Sequence, residues 1–195
     1  MANLITLEEY KISENIQSTK EDARINSLIS AVTQLVKTYC GNSFIDHYTI
    51  AKTETFTINW DTNIVQLTES PVNSIAYVKE RTSFDGAYTT LDDTKDYYFD
   101  GVTDAVFRIN SDGSRKNFAT GPKSVEVQYR AGYQACPADL QLAVIDLITY
   151  YLKDEHKARQ TIAGASIQNQ GSTSQRNNVA FPDHIKRVLD LYKNF

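Results

Sequence analysis

The spacing of apolar residues, which changes twice along the chain, is the feature that most constrains the fold. Near both ends apolar residues recur every three or four positions, as on one face of a helix, whereas in the middle they alternate, as on one face of a strand. The pattern predicts an α+β protein: a small helical bundle, with two long helices plus short N- and C-terminal helices, and a β-rich insert between the long helices. We expect a single domain, residues 1–195. Its predicted parts are helical residues 1–45, the β-rich insert 46–135, a helix in 136–159, a flexible segment 160–180 and a C-terminal arm helix 181–195.

Two helices are predicted in the N-terminal part. Residues 5–12 form the first, because Thr6 can cap it and Glu9 can complete a capping box. The second covers residues 22–40, and Gly41 is typical of its end because glycine adopts the left-handed conformation at little cost. Its apolar face consists of Ile25, Leu28, Ile29, Val32, Leu35, Val36 and Tyr39.

The middle of the chain has the alternation of half-buried strands. Asp85–Gly86 and Asp112–Gly113 separate apolar segments and predict hairpin turns. The alternating apolar positions are Tyr48, Ile50, Phe56, Ile58 and Trp60, and later Val125, Val127 and Tyr129. Most of the acidic excess lies here, in Asp92, Asp93, Asp96, Asp100 and Asp104, which we interpret as a solvated loop.

The helix that follows Pro137 is apolar over most of its circumference. Proline suits the first helical turn, where its missing N–H is not needed. One face carries Leu140, Ala143, Val144, Leu147, Ile148 and Tyr151, and Leu142, Ile145 and Leu152 widen it. A helix of this kind needs cover on several sides. We therefore predict that subunits pack side by side through this helix and the 22–40 helix. The predicted contact residues are Leu28, Val32, Leu35, Leu142, Ile145 and Tyr151.

The C-terminal part combines a polar tract with an amphipathic helix. Residues 160–178 are rich in glycine, serine, glutamine and asparagine, so they are expected to be flexible when alone. The helix beyond them indicates an arm that docks on a partner; the alternative is that it folds back on its own subunit. Its apolar anchors are Phe181, Ile185, Val188, Leu189 and Tyr192, and its basic residues are Lys186, Arg187 and Lys193.

Composition excludes several classes of protein. A formal net charge of −4 argues against a protein that wraps a nucleic-acid backbone. No apolar run approaches the roughly 20 residues that span a bilayer, so no membrane association is expected, and the first residues lack a secretory signal pattern. Only Cys40 and Cys136 are present, which excludes a disulfide framework. We expect a soluble protein that is made in a reducing cytoplasm.

Motifs that carry chemistry are missing from the sequence. His47, His156 and His184 have no second metal ligand at helical spacing, and the aspartates do not form a calcium-loop pattern. There is no phosphate-binding glycine loop and no nucleophile elbow. We therefore predict no catalytic residue, no metal and no cofactor. Cys40 and Cys136 bracket the insert, and we interpret them as small buried apolar residues; a redox pair is the alternative.

Three segments resemble a known family. The first is LITLEEYKI followed by DARINSLISAVTQLVKTYCGNSF, and the last is SVEVQYRAGYQACPADLQLAVIDLITYYL, a strand, a Gly-Tyr turn and a long apolar helix. Between them stand LTESPVNSIAYVKE and TTLDDTKDYYFD. In this order they resemble the head-to-tail connector (adaptor) proteins of tailed bacteriophages, over nearly the whole chain.

The resemblance implies a structural role without catalysis. Proteins of this family form a ring, usually dodecameric, on the portal vertex of the capsid, where it extends the DNA channel and receives the next neck or tail protein. The implied partners are other copies of the chain, the portal protein, a downstream neck or tail protein, and genomic DNA that passes through without sequence-specific binding. The implied location is the virion neck, after assembly in the host cytoplasm. The arm residues 182–195 would contact the portal.

Three alternatives remain from the sequence. The first is another neck component, such as a stopper or tail-terminator, although those folds are mostly β. The second is a small hydrolase or nuclease whose site is assembled only in three dimensions. The third is a monomeric host interaction domain.

Overall fold

Four helices and nine strands make up the computed structural model, which describes residues 2–153, 160–162, 165–167 and 181–193. The helices are α1 (Leu7–Ser13), α2 (Asp22–Cys40), α3 (Ala138–Leu152) and α4 (Asp183–Asp190). The strands are β1 (Lys52–Ile58), β2 (Ile64–Gln66), β3 (Val72–Glu80), β4 (Thr89–Thr90), β5 (Tyr97–Asp100), β6 (Ala105–Arg108), β7 (Gly121–Ala131), β8 (Gln160–Ile162) and β9 (Ala165–Ile167). The chain divides into a helical unit, Met1–Asn42 with Cys136–Lys193, and a β unit, Ser43–Ala135.

In the helical unit, the ends of α1 and α2 follow local sequence chemistry. The capping box is confirmed: the Thr6 hydroxyl accepts the Glu9 N–H, and the Glu9 carboxylate accepts the Thr6 N–H. Gly41 ends α2 with φ 65°, the left-handed value that was predicted. The start of α2 has no side-chain cap, because its N-cap is Glu21. Lys11 instead connects α1 to the first turn of α2 through an ion pair with Asp22, 2.8 Å long.

The β unit contains two multi-stranded antiparallel sheets. The four-stranded sheet has the order β1-β7-β3-β4, and the three-stranded sheet has the order β2-β6-β5. Thirteen buried side chains from both sheets and their loops form one hydrophobic core. They are Ile58, Val65, Leu67, Val72, Val78, Leu91, Tyr97, Val106, Phe118, Val125, Val127, Tyr129 and Ala131.

The predicted fold class is wrong in its emphasis on helices. Over the described residues the protein is α+β with four helices and two multi-stranded antiparallel sheets, and the sheets dominate it; it is not a helical bundle with two long helices and an insert. The reason is that strands of two to eleven residues, separated by polar loops, leave a weaker periodic signal than a continuous helix. Across the middle of the chain they nevertheless bury a core of their own.

Three alternating positions do not lie in a strand. Tyr48 lies in a turn and is half-buried. Ile50 and Trp60 flank β1 and are exposed, with 69% of Trp60 accessible to solvent. The turns at Asp85–Gly86 and Asp112–Gly113 are confirmed. The first connects β3 to β4, and the second lies between Ile109 and Arg115, which pair as an antiparallel bridge.

The predicted flexible segment lies mostly outside the described residues. Within 160–180, β8 and β9 pair antiparallel as a two-stranded sheet, and residues 163–164 and 168–180 are not described. In the described ranges no helix is both long and apolar enough to cross a bilayer.

Candidate assembly surfaces

The predicted subunit-contact residues differ in how much surface they offer. On α3, 59% of Leu142 is exposed but only 7% of Ile145, although residues three positions apart are neighbours on a helix surface. On α2, Val32 is buried. Leu28, Leu35 and Tyr151 are half-buried. Leu142 is therefore the one of the six with a largely free side chain. Elsewhere in the helical unit, Ile12 and Leu191 are also exposed large apolar residues.

The predicted docking arm packs on its own helical unit in this structure. Phe181, Ile185 and Leu189 are buried. The Phe181 ring meets the Tyr39 ring edge-on, with 5.0 Å between centroids. These contacts correspond to the alternative in which the helix folds back on its own subunit. Of the remaining arm residues, Arg187 and Lys193 are exposed, whereas Lys186, Val188 and Tyr192 are half-buried.

Two tyrosine hydroxyls attach α4 to the other helices. Tyr39 on α2 donates to Asp190, and Tyr192 donates to Asp139 on α3, each over 2.6 Å. Burial, and then the Asp190 carboxylate, raise the pKa of Tyr39 to about 12. The hydroxyl therefore stays protonated and donates at any physiological pH.

Both cysteines are free, in surroundings that suppress thiolate formation. Burial, followed by the nearby Asp190 carboxylate, raises the pKa of Cys40 to about 12, and its thiol lies 3.5 Å from the Leu189 carbonyl. Burial and the Glu9 carboxylate raise the pKa of Cys136 to about 12 as well. Since the thiolate is the reactive form, neither cysteine is activated for redox chemistry.

A buried arginine connects the two sheets of the β unit. Arg108, at the end of β6, has 4% of its side chain exposed and lies 3.2 Å from Glu80 of β3 and 3.2 Å from Asp96. Glu80 also accepts the Ala119 N–H. The N–H of Asp92, and then the Arg108 guanidinium, lower the pKa of Asp96. This network leaves no local signal in the sequence, because Arg108 lies 28 positions from Glu80 and 12 positions from Asp96.

A second buried carboxylate fixes the start of the β unit. Glu69 accepts the N–H and the hydroxyl of Ser43, each over 2.8 Å, and the Lys52 ammonium over 2.8 Å. Burial alone would raise the pKa of Glu69, but the bonds from Lys52 and Ser43 outweigh it and hold that pKa below its ordinary value. The Glu69 N–H donates in turn to the Tyr129 hydroxyl of β7, over 3.2 Å.

The lowered pKa of Glu69 predicts acid sensitivity. A carboxylate with a depressed folded-state pKa stabilises the fold above its unfolded pKa, and this contribution is lost as pH falls through the folded value. We expect the free energy of unfolding to decline as the pH falls below 4.5, which is the ordinary pKa of a glutamate carboxyl group. Glu69→Gln should be less stable than wild type near about pH 7 and should lose less on acidification. Urea unfolding at a series of pH values measures both. Parallel pH curves for the two proteins would contradict this role.

The predicted solvated acidic loop is wrong for two of its five aspartates. Asp104 is buried, and its carboxylate accepts the Val72 N–H over 2.9 Å. Asp96 binds Arg108, whereas Asp92 and Asp93 are exposed and Asp100 accepts from the Thr103 hydroxyl. Within the described ranges, no three histidine, cysteine, aspartate or glutamate residues are grouped so as to hold a metal ion.

Comparison with known proteins identifies the class. The head completion protein family matches residues 3–195. The chain is 19% identical over 193 residues to the head completion protein of Escherichia phage T5, covering 97% of this chain and 98% of that one. The fold is similar to that in the neck of an empty gene transfer agent (GTA) particle computed with C6 symmetry, with a TM-score of 0.61, 14% identity, and coverage of 98% of this chain and 90% of the other. It is also similar to a chain in the neck of a native GTA particle computed with C12 symmetry, with a TM-score of 0.57, 15% identity, and coverage of 100% and 96%.

The whole-length match defines a structural protein of the phage virion. The chain belongs to the head completion protein family. It is a structural head completion protein of a phage virion and not an enzyme. The resemblance to phage head-to-tail proteins is thereby confirmed at the level of the family.

Proposed function

We propose that this protein is an adaptor: a subunit of a ring that docks on the portal, extends the DNA channel and receives the next neck or tail component. Support comes from family membership and from two similar folds found in necks computed with C6 and C12 symmetry. A closed cyclic ring needs one heterologous contact, repeated between neighbouring subunits. The helical unit offers a candidate for that contact.

The observation that carries the proposal is the position of Leu142. It projects from the second turn of α3. The core positions of this helix are buried in the same chain: Leu140, Ala143, Val144, Ile145, Leu147 and Ile148. A leucine exposed over more than half its surface gains free energy if a neighbouring subunit covers it, roughly 1–2 kcal/mol at about 25 cal/mol per Å². We place the subunit contact on this side of α3.

The charge balance suits a DNA channel. The formal net charge is −4, and the exposed carboxylates of Asp92 and Asp93 add local negative potential to the β unit. Like charge keeps the duplex from adhering to the wall of a ring. DNA would then pass without sequence-specific binding.

For the portal contact we propose the outer side of α4. Its inner anchors Phe181, Ile185 and Leu189 already pack within the helical unit, so they are not free for a partner. Arg187, Leu191 and Lys193 are exposed, and two of the three are basic. This surface fits a portal segment with carboxylates around an apolar position.

The structure bears on the alternative that this protein is a stopper or a tail-terminator. A stopper or tail-terminator was disfavoured on the ground that those folds are mostly β, and the dominance of the sheets in this chain weakens that argument. The two roles differ in order of assembly, because an adaptor binds the portal directly whereas a stopper needs an adaptor ring first. Mixing this protein with purified portal alone distinguishes them.

Leu142→Asp is the variant that tests the ring. We expect it to melt like the wild type, because the side chain is exposed, and to lose on the order of tenfold or more of its assembly on purified portal, since charge is costly in a desolvated contact. Val102→Asp is the matched control: Val102 is 92% exposed in the β unit and should assemble normally. Ile145→Asp should instead unfold the helical unit. Sedimentation and negative-stain imaging measure assembly. If Leu142→Asp forms rings as well as the control, the proposed contact is wrong.

A further inference from the structure

A groove of about 600 Å³ lies along the exposed side of α1 and the segment that follows it. Its apolar lining consists of Leu7, Ile12 and Ile16. Ile12 is 73% exposed, whereas Leu7 and Ile16 are half-buried. Tyr10, two positions before Ile12 and therefore roughly 200° around the helix, is buried, and its hydroxyl lies 2.9 Å from the Thr149 hydroxyl of α3. Ile12 therefore points away from the rest of the helical unit. We name this feature the α1 groove.

The end of the α1 groove is fixed by the C-terminal cap of α1. Asn15 has φ 53°, in the left-handed region, and its N–H donates to the Ile12 carbonyl over 3.3 Å. The Ile16 N–H donates to the Lys11 carbonyl over 2.9 Å. These two bonds around a left-handed residue form a Schellman motif, which returns the chain to the last turn of the helix. Because this wall is ordered beforehand, covering it costs little conformational entropy.

The exposed side of α3 presents an apolar side chain between two carboxylates. Leu142 is 59% exposed. Asp139 lies three positions before it and Asp146 four positions after it, and these spacings make neighbours on a helix surface. Asp139 is exposed and Asp146 is half-buried. We name these three residues the α3 ridge.

The polar side chains of the α1 groove are mostly hydrogen-bond donors. Among the described residues that line it, Lys11, Asn15 and Gln17 carry N–H groups, and Glu8 is the single carboxylate. The Lys11 ammonium has three donors, of which one goes to Asp22 over 2.8 Å. The α1 groove therefore suits an apolar side chain that is flanked by carboxylates.

A second copy of this chain carries such a side chain in its α3 ridge. Similar folds are found in necks computed with C6 and C12 symmetry. A cyclic ring joins two different surfaces of each subunit, so that one copy's first surface meets the next copy's second surface. The α3 ridge projects and the α1 groove is recessed, and both belong to the helical unit. They can therefore serve as the two halves of one repeated contact.

We propose that the α1 groove receives the α3 ridge of the neighbouring subunit, with Leu142 packed against Leu7, Ile12 and Ile16. The proposal rests on the proposed adaptor function, because it names the surface that covers Leu142 in the ring. It places the carboxylates of the ridge beside the donors of the groove.

Cysteine cross-linking of rings assembled on purified portal tests this pairing. The double variant Ile12→Cys with Leu142→Cys is treated with a short bifunctional maleimide and run on a denaturing gel. Each chain then carries both halves of the contact, so we expect a ladder of covalent multimers beyond the dimer. Either single variant should give no ladder, because a heterologous contact does not bring a position to its own copy.

Two controls set the background of the cross-linking. Wild type contains Cys40 and Cys136, which should react slowly because burial raises the pKa of each to about 12. Val102→Cys with Leu142→Cys places the second thiol at a position in the β unit that is 92% exposed, and it should give no ladder.

Ile12→Asp measures the same contact without a cross-linker. It should melt like the wild type, because the side chain is exposed, and lose on the order of tenfold of its assembly on portal. A ladder confined to the Ile12→Cys and Leu142→Cys pair supports the proposal. Rings without a ladder, an equal ladder in the Val102→Cys control, or normal assembly of Ile12→Asp would overturn it. If wild-type protein forms no ring on the portal, the adaptor function fails and this contact fails with it.

Discussion

Arg108→Ala should destabilise the β unit by about 3–5 kcal/mol, the usual cost of removing one partner of a buried ion pair. The guanidinium is the charge that compensates Glu80, whose side chain is 14% exposed, and it also donates to the Ile109 carbonyl over 2.9 Å. In the variant, the Glu80 carboxylate stays inside the β unit without a compensating charge from Arg108. It keeps the hydrogen bond from the Ala119 N–H. Loss of the connection between β3 and β6 should open the two sheets. Denaturant unfolding followed by far-ultraviolet circular dichroism measures the change.

A double variant and a control sharpen this result. Arg108→Met combined with Glu80→Gln should recover part of the loss, because replacing both partners leaves no uncompensated charge. Arg115→Ala removes an exposed arginine seven residues later and should change stability by at most about 0.5 kcal/mol. Equal unfolding free energies for Arg108→Ala and Arg115→Ala would show that the network contributes nothing.

Gly132→Ala should have a comparable effect, by a different mechanism. Gly132 has φ 95°, and a Cβ placed there would lie 1.9 Å from the Phe44 carbonyl oxygen. That oxygen accepts the Tyr133 N–H over 2.7 Å, and the Gly132 N–H donates to Pro71 over 2.7 Å, so the backbone on both sides is fixed. Backbone strain costs about 1–3 kcal/mol and overpacking about 1–3 kcal/mol, which together predict a loss of about 2–6 kcal/mol.

Gly101→Ala is the matched control for this substitution. The nearest atom to its added Cβ is 3.6 Å away, an ordinary contact with the Phe99 ring, and its φ is not in the left-handed region. We expect its melting temperature to stay close to that of wild type, while Gly132→Ala melts many degrees lower or is recovered only as aggregate. Similar melting of the two variants would contradict the requirement for glycine at position 132.

Local sequence chemistry predicted the helix ends well. The Thr6–Glu9 capping box and the Gly41 stop depend on neighbouring residues only, so they are visible in the sequence. The same holds for the turn at Asp85–Gly86. What depends on distant residues was missed: Arg108 meets Glu80 from 28 positions away, and Glu69 meets Ser43 from 26.

The candidate surfaces were predicted only in part, for a related reason. Helical periodicity identified α3 and α4 as apolar but could not distinguish residues that face the same chain from those that remain free. The structure makes this distinction: Leu142 is free and Ile145 is buried. It likewise places three arm anchors inside the helical unit, and it shows Trp60, which alternation assigned to a buried strand face, on the surface.

A cryo-EM reconstruction of the neck of the phage that encodes this chain tests the central claim most directly. The account predicts a closed ring of this protein directly beneath the portal, with Leu142 covered by the neighbouring subunit. A neck in which this protein forms no ring, or in which Leu142 faces solvent, would contradict the account.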